Sequence, residues 1–427
     1  MANLTRRTFI KAAGGAAAAV GLVGPARSWA AEPHVVVIGG GYGGAIAAKY
    51  LRMMSGGKIK VTMIERDESY YSCPLSNWVV AGFRDLGVQK HSWAEAAKAH
   101  GFSVIHKEAE AIDPKAKTVS LAGGEKVSYD KLIVSPGVDY KDNIEGYTKK
   151  EYEQHPHAWH AGPQTEALKK KLAAMPDGGK VIIVPPEDPF RCPPGPYERV
   201  SLIAHYLKKN KPKSKILVLD PKDKFSKQGL FAGGWKTLYG YETPNSLIEW
   251  VAGASGGKVA RFDAATGTVF TEMDQHKGDV VNIIPNQKAG QIAFASNLVE
   301  GDWCPVNKQT FESTLHKDVY VIGDACNAAK MPKSGYAANS QAKVCVEAVI
   351  RSIHGKDPAD ASYVNTCYSM LSPDYAISVA NVFKLKDGEI TPINGGMSPP
   401  EATPEFRKME AEFNESWYRS IMADMFA

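Results

Sequence analysis

Paired cysteines, long apolar runs and a large excess of one charge are all missing from this sequence of 427 residues. Its six cysteines include no C-x-x-C pair and no C-x-x-C-H haem attachment motif, so any disulfide must be long-range and any haem must belong to a partner. The formal net charge is only +5. Nothing in that charge distribution indicates nucleic-acid binding, and no transmembrane segment is expected.

The first thirty residues have the pattern of an export signal. Arg6 and Arg7 precede an Ala/Gly/Val-rich run that ends in small residues at Ser28-x-Ala30. This pattern is typical of a twin-arginine signal peptide over residues 1–30, since the apolar run is too short to span a bilayer. Its removal takes away four basic residues and no acidic ones, lowering the formal charge from +5 to +1. We expect a periplasmic protein that is exported folded around a cofactor.

A dinucleotide-binding unit follows the leader. The stretch "HVVVIGGGYGGAIAAKYLRMM" predicts a strand at 35–38, a glycine turn and a helix, and "KIKVTMIER" predicts a second strand that ends in an acidic residue. The glycines let backbone amides approach a pyrophosphate at the helix N-terminus, and the acidic residue can bind a ribose hydroxyl. The candidate binding residues are Gly39, Gly41, Gly44, Glu65 and Arg66.

A second nucleotide signal lies far downstream, in "KDVYVIGDACNAAKMPKSGYAANSQAK". A predicted strand at 319–322 leads to Asp324, which we expect to hold a ribityl chain. A helix predicted to begin near Ser334 and Gly335 would direct its positive end at the flavin. The strand-end turn "LIVSPG" adds Pro136 and Gly137 as candidate contacts. Together these features favour FAD over NAD as the ligand.

The middle of the chain repeats the strand-turn-helix plan without its phosphate-binding turn. A strand at 181–184 and a helix at 197–209 flank a turn that contains "PPEDP" at 185–189. Prolines lack the amide donor and carboxylates repel pyrophosphate. We therefore predict an α/β fold with two Rossmann-like domains, the second without a working nicotinamide site. The predicted bounds are 33–145 with 287–359 for the FAD domain and 146–286 for the second domain.

The remaining residues, 360–427, predict a C-terminal α+β domain. "SYVNTCYSMLSPDYAISVANVFKL" alternates at strand spacing around a Ser-Pro-Asp turn, and a helix capped by Thr403 begins at Pro404. Its apolar stripe is expected to face the core or a dimer partner, with a membrane-surface role as the alternative. The stripe consists of Phe406, Met409, Phe413, Trp417 and Ile421.

Several long segments resemble the flavoprotein subunits of the flavocytochrome c sulfide dehydrogenases, within the sulfide:quinone oxidoreductase and glutathione reductase-like superfamily. The similar segments are "VVVIGGGYGGAIAAKYL", "YYSCPLSNWVVAG", "PPEDPFRCPPGPYERV", "WCPVNKQTFEST", "VIGDACNAAKMPKSGYAANSQAK" and "CYSMLSPDYAISVA". The resemblance implies that Cys73 carries FAD covalently through its 8α position. It also implies that Cys192 and Cys367 form a redox-active disulfide beside the flavin.

The implied activity is oxidation of hydrosulfide to sulfur or polysulfide, with electrons leaving through FAD to a separate c-type cytochrome subunit. Two alternatives stay open. One is a membrane-associated sulfide:quinone oxidoreductase, and the other is a flavin-bearing accessory subunit of a thiosulfate-oxidising system. Assays of the purified chain with sulfide and either cytochrome c or a quinone separate these alternatives.

The residues themselves support the thiol pair only in part. Cys192 precedes a helix whose amide donors and dipole would stabilise a thiolate. The alternative for Cys192 and Cys367 is an inert disulfide or two buried thiols. Cys304, Cys326 and Cys345 are expected to be buried small hydrophobes, with a redox role left open for Cys326.

Overall fold

The computed structural model describes residues 32–427, and residues 33–427 form one compact unit. The predicted signal peptide lies outside the described residues. The helices are α1 Gly44–Met54, α2 Ser76–Val80, α3 Ala94–His100, α4 Pro163–Ala174, α5 Gly195–Asn210, α6 Gln228–Tyr239, α7 Gln291–Ala295, α8 Gly335–Ile353 and α9 Pro404–Phe426. Short 3-10 turns occur at Leu86–Gln89, Gly253–Ser255 and Gly323–Ala325.

The strands are numbered in chain order. They are β1 His34–Ile38, β2 Lys60–Ile64, β3 Tyr70–Tyr71, β4 Lys90–His91, β5 Ser103–Ile105, β6 Ala109–Asp113, β7 Thr118–Leu121, β8 Lys126–Ser128, β9 Lys131–Val134, β10 Val138–Tyr140 and β11 Lys180–Val184. The others are β12 Lys215–Leu219, β13 Ile248–Val251, β14 Val259–Asp263, β15 Thr268–Thr271, β16 Gln275–Lys277, β17 Val280–Ile283, β18 Gln287–Ala289, β19 Val319–Val321, β20 Ser362–Ser372, β21 Tyr375–Lys386 and β22 Glu389–Met397.

The first parallel sheet has the strand order β19-β9-β1-β2-β5. Its central strands are β-branched and buried, as expected for a sheet covered on both faces. Strand β1 lies between β2 and β9, so the connections that follow β1 and β9 run to opposite sides of β1. Where they diverge, a crevice opens at the carboxyl ends of the strands. This crevice is where an open α/β sheet binds its ligand.

A second parallel sheet has the order β13-β12-β11-β17. The turn after β11 is the proline-rich segment at 185–189. Its Glu187 N–H donates to Asn286 Oδ1 at 2.8 Å, and Asn286 Nδ2 donates to Glu187 Oε2 at 2.9 Å. The amide that a phosphate would need is therefore engaged within the protein. The two parallel sheets confirm the predicted α/β fold class.

An antiparallel sheet, β20-β21-β22, follows the parallel sheets along the chain. A two-residue turn at Pro373 and Asp374 joins β20 to β21, as the Ser-Pro-Asp signal predicts. Strand β20 packs against both α5 and α8. The C-terminal sheet therefore reaches the region where the two parallel sheets present their carboxyl ends.

The predicted apolar stripe of the terminal helix is confirmed only in its second half, where Ile421 is buried and Trp417 packs against the core. Thr403 caps α9 as predicted, accepting a hydrogen bond from Phe406 N at 3.3 Å. However, Met409 is 37% exposed and Phe413 is 48% exposed. The buried face instead includes Ala411, Asn414, Tyr418, Met422 and Met425. Within residues 32–427, no helix is both long and apolar enough to cross a bilayer.

The first half differs because α9 buries an ion pair there. Arg407 Nη1 lies 3.2 Å from Glu410 Oε2, and both side chains are almost fully buried. Arg407 also donates to the carbonyl of Pro399 at 2.6 Å, and Glu410 accepts from Ser378 Oγ at 2.7 Å. Buried charges are retained where each has a partner of this kind.

We expect Arg407→Met to lower the free energy of unfolding by about 3–5 kcal/mol, because the substitution leaves the buried Glu410 carboxylate without its cation. Urea unfolding followed by circular dichroism measures the change. The matched control is Lys408→Met, which removes a charge from the exposed neighbouring position. Equal unfolding midpoints for the two variants would contradict the prediction.

Candidate functional site

The glycine turn after β1 meets the turn after β9 at very short range. Gly39 has φ +92°, and a Cβ built there would lie 2.3 Å from the carbonyl oxygen of Ser135. A Cβ at Gly44 would lie 1.7 Å from the Gly39 carbonyl oxygen. At Gly41 the nearest atom to such a Cβ is 3.9 Å away, on Tyr70, so that position is open. Gly39 and Gly44 are thus in close contact with backbone atoms of the protein. Gly41 has free space around it, where a pyrophosphate could approach.

Glu65 lies at the end of β2, beside this turn. Its Oε2 accepts from Gly40 N at 2.6 Å and its Oε1 from Asp67 N at 3.2 Å. Burial raises the pKa of the Glu65 carboxyl, which these amide bonds partly offset. Its neighbour Arg66 lies on the surface, paired with Asp67 at 3.5 Å and Glu108 at 3.7 Å. Glu65 is well placed for a ribose, whereas Arg66 is held among surface carboxylates.

The turn after β9 and the segment after β19 complete the same edge. Gly137 has φ +65°, and its carbonyl accepts from Gly290 N at 3.0 Å after the Pro136 bend. Asp324 follows β19, and its Oδ1 is buried without a hydrogen-bond partner among the described residues. Burial raises the pKa of Asp324, while Arg191 and Lys333 lower it. An unpaired buried carboxylate oxygen is costly unless a ligand donor supplies its partner.

Helix α8 begins where the sequence predicts, at Gly335, with Ser334 as its N-cap. Ser334 Oγ accepts from Ala337 N at 3.1 Å and donates to Asn365 Oδ1 at 2.6 Å. A Cβ at Gly335 would lie only 3.0 Å from the ring of Tyr42. The capping hydroxyl therefore connects the positive end of α8 to strand β20, two residues before Cys367.

Together these features fit a flavin dinucleotide. The open Gly41 position, the Glu65 carboxylate, the unpaired Asp324 oxygen and the α8 N-terminus all lie at one sheet edge. Pyrophosphate, ribose, ribityl and pyrimidine groups need donors and acceptors of these kinds. The structure thus brings together the residues predicted from the glycine motif and from "VIGDA". Arg66 is the exception, because its side chain pairs with surface carboxylates.

Cys73 lies near the same edge, in the segment between β3 and α2. Its thiol is half-buried, and the nearest hydrogen-bond acceptor is the carbonyl of Trp159 at 3.8 Å. Tyr42, from the glycine turn, is fully buried with its hydroxyl 2.8 Å from Ser72 Oγ. Charge on either Cys73 or Cys192 raises the pKa of Tyr42, which burial already raises. Because Ser72 precedes Cys73, the Tyr42 hydroxyl bond joins the Cys73 segment to the glycine turn.

Cys192 is held by the backbone of another segment. Its N–H donates to the Lys333 carbonyl at 2.8 Å, one residue before the α8 cap. Cys192 has φ 59°, in the left-handed region that costs energy for a residue with a side chain. A Cβ at Gly195 would lie 2.9 Å from Cys192 Sγ, so only glycine leaves room for the sulfur.

Cys367 reaches the same region from β20. Burial raises the pKa of the Cys192 thiol well above its ordinary value, and charge on Cys367 and Glu198 raises it further. This is opposite to the thiolate stabilisation that the start of α5 predicts, because desolvation outweighs the helix dipole. Cys192 and Cys367 are free thiols here, as are all the cysteines within residues 32–427. Their disulfide stays a prediction.

Two charged residues beside the thiols were missed by sequence reasoning. Glu198, in the first turn of α5, accepts from Asn77 Nδ2 at 2.8 Å and from Met370 N at 2.9 Å. Burial raises its pKa. Lys227, just before α6, donates to Ser369 Oγ at 2.8 Å. The available signal was the alternation of Asn365, Cys367 and Ser369, which places three polar side chains on one face of β20.

The other three cysteines are buried, as predicted. Cys326 Sγ donates to the Gly323 carbonyl at 3.2 Å, and Cys304 pairs with Cys326 through an isolated parallel bridge. Burial raises the pKa of Cys304 to about 12 and that of Cys326 to about 11. Both thiols are therefore neutral at physiological pH, as is expected of packed side chains.

Three family models match parts of the chain. Residues 33–184 match the pyridine nucleotide-disulphide oxidoreductase model. Residues 165–285 match the central region of the sulfide dehydrogenase (flavocytochrome c) flavoprotein chain. Residues 359–426 match the flavocytochrome c sulphide dehydrogenase flavin-binding model. The last two matches include Cys192 and Cys367, respectively.

Individual relatives agree with these models. A stretch of 46 residues is 51% identical to the sulfide dehydrogenase (flavocytochrome c) flavoprotein chain of Chlorobaculum thiosulfatiphilum, covering 11% of this chain and 94% of that sequence. The sulfide-quinone reductase of Aquifex aeolicus is 31% identical over 176 residues, which span 40% of this chain and 39% of that protein. The solved sulfide:quinone oxidoreductase from Aquifex aeolicus has a TM-score of 0.68 at 20% identity, covering 92% of both chains, and this likeness concerns the fold.

We expect the reduced Cys192 thiol to be alkylated slowly at neutral pH, with its rate rising only above the pH at which an ordinary thiol ionises, because burial favours the neutral form. Peptide mapping by mass spectrometry after iodoacetamide treatment from pH 6 to 11 measures the rate. A small-molecule thiol in the same buffers provides the reference curve. A midpoint for Cys192 below that of the reference would show that the dipole outweighs burial after all.

Proposed function

This chain belongs to the family of sulfide dehydrogenase flavoproteins and sulfide:quinone oxidoreductases, and from that premise we propose that it oxidises hydrosulfide with bound FAD and a Cys192–Cys367 redox disulfide. The product is zero-valent sulfur, polysulfide or a persulfide. The matched stretch spans only 39% of the Aquifex reductase. The proposed activity, substrate and partners therefore depend on the site residues of this chain.

One observation carries the proposal. The Cys192 amide is bonded to Lys333, at the start of the helix that faces the flavin edge, while charge on Cys367 reaches the Cys192 sulfur. These contacts support a thiol pair beside the dinucleotide site, contributed by separate segments of the chain. Such an arrangement suits transfer of electrons from sulfur to a flavin.

The protein groups have distinct roles in this proposal. Hydrosulfide attacks one sulfur of the disulfide, which leaves a persulfide on one cysteine and a thiolate on the other. At the edge that holds Glu65 and Asp324, FAD would supply a two-electron acceptor able to pass electrons on singly. Lys227 and Arg191 place positive charge beside the sulfurs, where negative charge develops. The engaged Glu187 amide disfavours a nicotinamide dinucleotide as the electron source.

We further propose that Cys73 is joined to the 8α position of FAD. Its half-buried sulfur donates to the Trp159 carbonyl, which also accepts from the partly buried Arg191, so the thiol and the guanidinium are neighbours. Burial alone would lower the pKa of Arg191, yet Cys73, Tyr140, Asp324 and Tyr70 raise it above its ordinary value. A permanently charged guanidinium at this position would favour an electron-rich flavin.

The proposed acceptor is the haem of a separate c-type cytochrome subunit in the periplasm. One observation supports a haem acceptor: both flavocytochrome family models match. The sequence has no haem attachment motif, so such a haem would belong to the partner. The twin-arginine pattern of residues 1–30 supports the location. Reduction of a c-type cytochrome by sulfide, compared with reduction of a soluble quinone analogue, tests the acceptor.

We expect Cys192→Ala and Cys367→Ala each to lower the rate of flavin reduction by sulfide by at least about a hundredfold, because neither variant can form the disulfide. Anaerobic stopped-flow spectroscopy of the purified holoprotein measures the rate. Dithionite should still reduce both variants, which separates loss of the thiol route from loss of the flavin. Cys345→Ala removes a buried thiol outside the pair and serves as the control. Sulfide reduction at the wild-type rate in either variant would refute the disulfide mechanism.

We expect Cys73→Ser to make the flavin extractable, because the hydroxyl cannot take the place of the thioether. After acid precipitation, the wild-type pellet should stay yellow and the variant should release its flavin into the supernatant. Absorbance of both fractions near the flavin maximum measures the distribution. Release of flavin from the wild-type protein would rule out the covalent link.

A further inference from the structure

Lys227, just before helix α6, is an unusual residue to bury. It is 7% exposed, and its Nζ donates to Ser369 Oγ at 2.8 Å. The partner is therefore a hydroxyl and not a carboxylate. Burying an ammonium costs free energy unless its charge is used, and a single neutral acceptor does not neutralise it.

The backbone conformation and the helix position of Lys227 are also unfavourable. Lys227 has φ 60° and ψ 26°, in the left-handed region that is unfavourable for a residue with a side chain. It also occupies the N-cap of α6, where the helix dipole disfavours a cation. The backbone conformation and the helix dipole do not explain why this position holds a lysine, and the nearest buried counter-charge is that of Glu198, whose pKa Lys227 lowers.

The residues around Lys227 explain why a buried cation is found at this position. Ser369 lies two residues after Cys367 on β20, so both side chains point to the same face of the sheet. The Cys367 sulfur donates to the Tyr368 carbonyl at 3.5 Å, and the Ser369 hydroxyl that accepts from Lys227 is its neighbour on the same face of β20. Burial raises the pKa of Cys367, whereas Lys227 and this hydroxyl lower it.

The neighbouring charges affect the two thiols of the pair differently. Glu198 of α5 raises the pKa of both thiols, as burial also does. For Cys367 the cation Lys227 outweighs Glu198, while for Cys192 the charges of Cys367 and Glu198 outweigh Lys227 and Arg191. The positive charge is therefore delivered to the Cys367 side of the pair.

We propose that Lys227 is a positioning residue that acts through Ser369 to hold the Cys367 sulfur as the thiolate which leaves when hydrosulfide opens the disulfide. The hydrosulfide lone pair forms a new S–S bond to Cys192, and the electron pair of the broken Cys192–Cys367 bond goes to Cys367. The proton of hydrosulfide stays on the outer sulfur of the persulfide. A thiolate that is better stabilised leaves faster, which favours attack at Cys192. The inference rests on the proposed function for its role in turnover.

The test follows the ionisation of Cys367 directly. The full chain with its flavin, reduced and carrying Cys192→Ser so that Cys367 is the remaining thiol of the pair, is treated with iodoacetamide from pH 6 to 11. Mass spectrometry of the Cys367 peptide gives the alkylation rate at each pH. The variants are Lys227→Met and Ser369→Ala, and the controls are Ser369→Thr, which keeps the hydroxyl, and Lys236→Met, which removes an exposed cation from α6.

We expect Lys227→Met to raise the midpoint of the Cys367 rate curve by about one pH unit or more, which is roughly a tenfold loss of thiolate at neutral pH. Ser369→Ala should shift the midpoint in the same direction, and the two controls should match the parent protein. An unshifted midpoint in folded Lys227→Met overturns the inference, and if that variant does not fold, an unshifted Ser369→Ala does so. No sulfide turnover is required, so absence of sulfide oxidation in the wild type would refute the proposed function alone.

Discussion

The hydrogen bond from the Cys192 amide to the Lys333 carbonyl is the constraint on which the rest of the site depends. It joins the turn after β11, from the second parallel sheet, to the residue that precedes the capped start of α8. The Ser334 to Asn365 bond then extends the connection to β20. Each of these polar groups is at least partly removed from water, so breaking one leaves a donor or acceptor unsatisfied. Three segments that are distant in sequence are thereby fixed in a single geometry.

Positive charge that is partly or fully removed from water is the second feature of the site. Arg191, Lys227 and Lys333 approach the same region, where their neighbours are thiols and the carboxylates of Asp324 and Glu198. Fixed charges of this kind are most effective where water is excluded, because they need no reorganisation when a negative charge appears. Thiolate formation and reduction of a flavin both create such a charge. The electrostatic design of the site is thus the same for both halves of the proposed reaction.

The strand-turn-helix units could be predicted from the sequence because their causes are local. Alternating apolar residues, the glycine motif and the Thr403 cap can each be recognised within a few residues of sequence. The partnership of Cys192 with Cys367 came instead from a family resemblance, since no local pattern joins residues so far apart. The face of α9 was misjudged because Arg407 and Glu410 neutralise each other in the core. Lys227 was missed for a similar reason, because its burial depends on β20 and nothing at the start of α6 marks it.

The position of Cys367 on β20 also has a consequence for how the protein is made. Chains fold from the N-terminus as they leave the ribosome, so the two parallel sheets can form before the C-terminal sheet is complete. Until then Cys192 has no partner thiol, and the N-cap of α8 has no Asn365 to accept its hydroxyl. The proposed thiol pair is therefore assembled last, after the two parallel sheets. An unfinished chain would carry the dinucleotide-binding fold without the proposed sulfur chemistry.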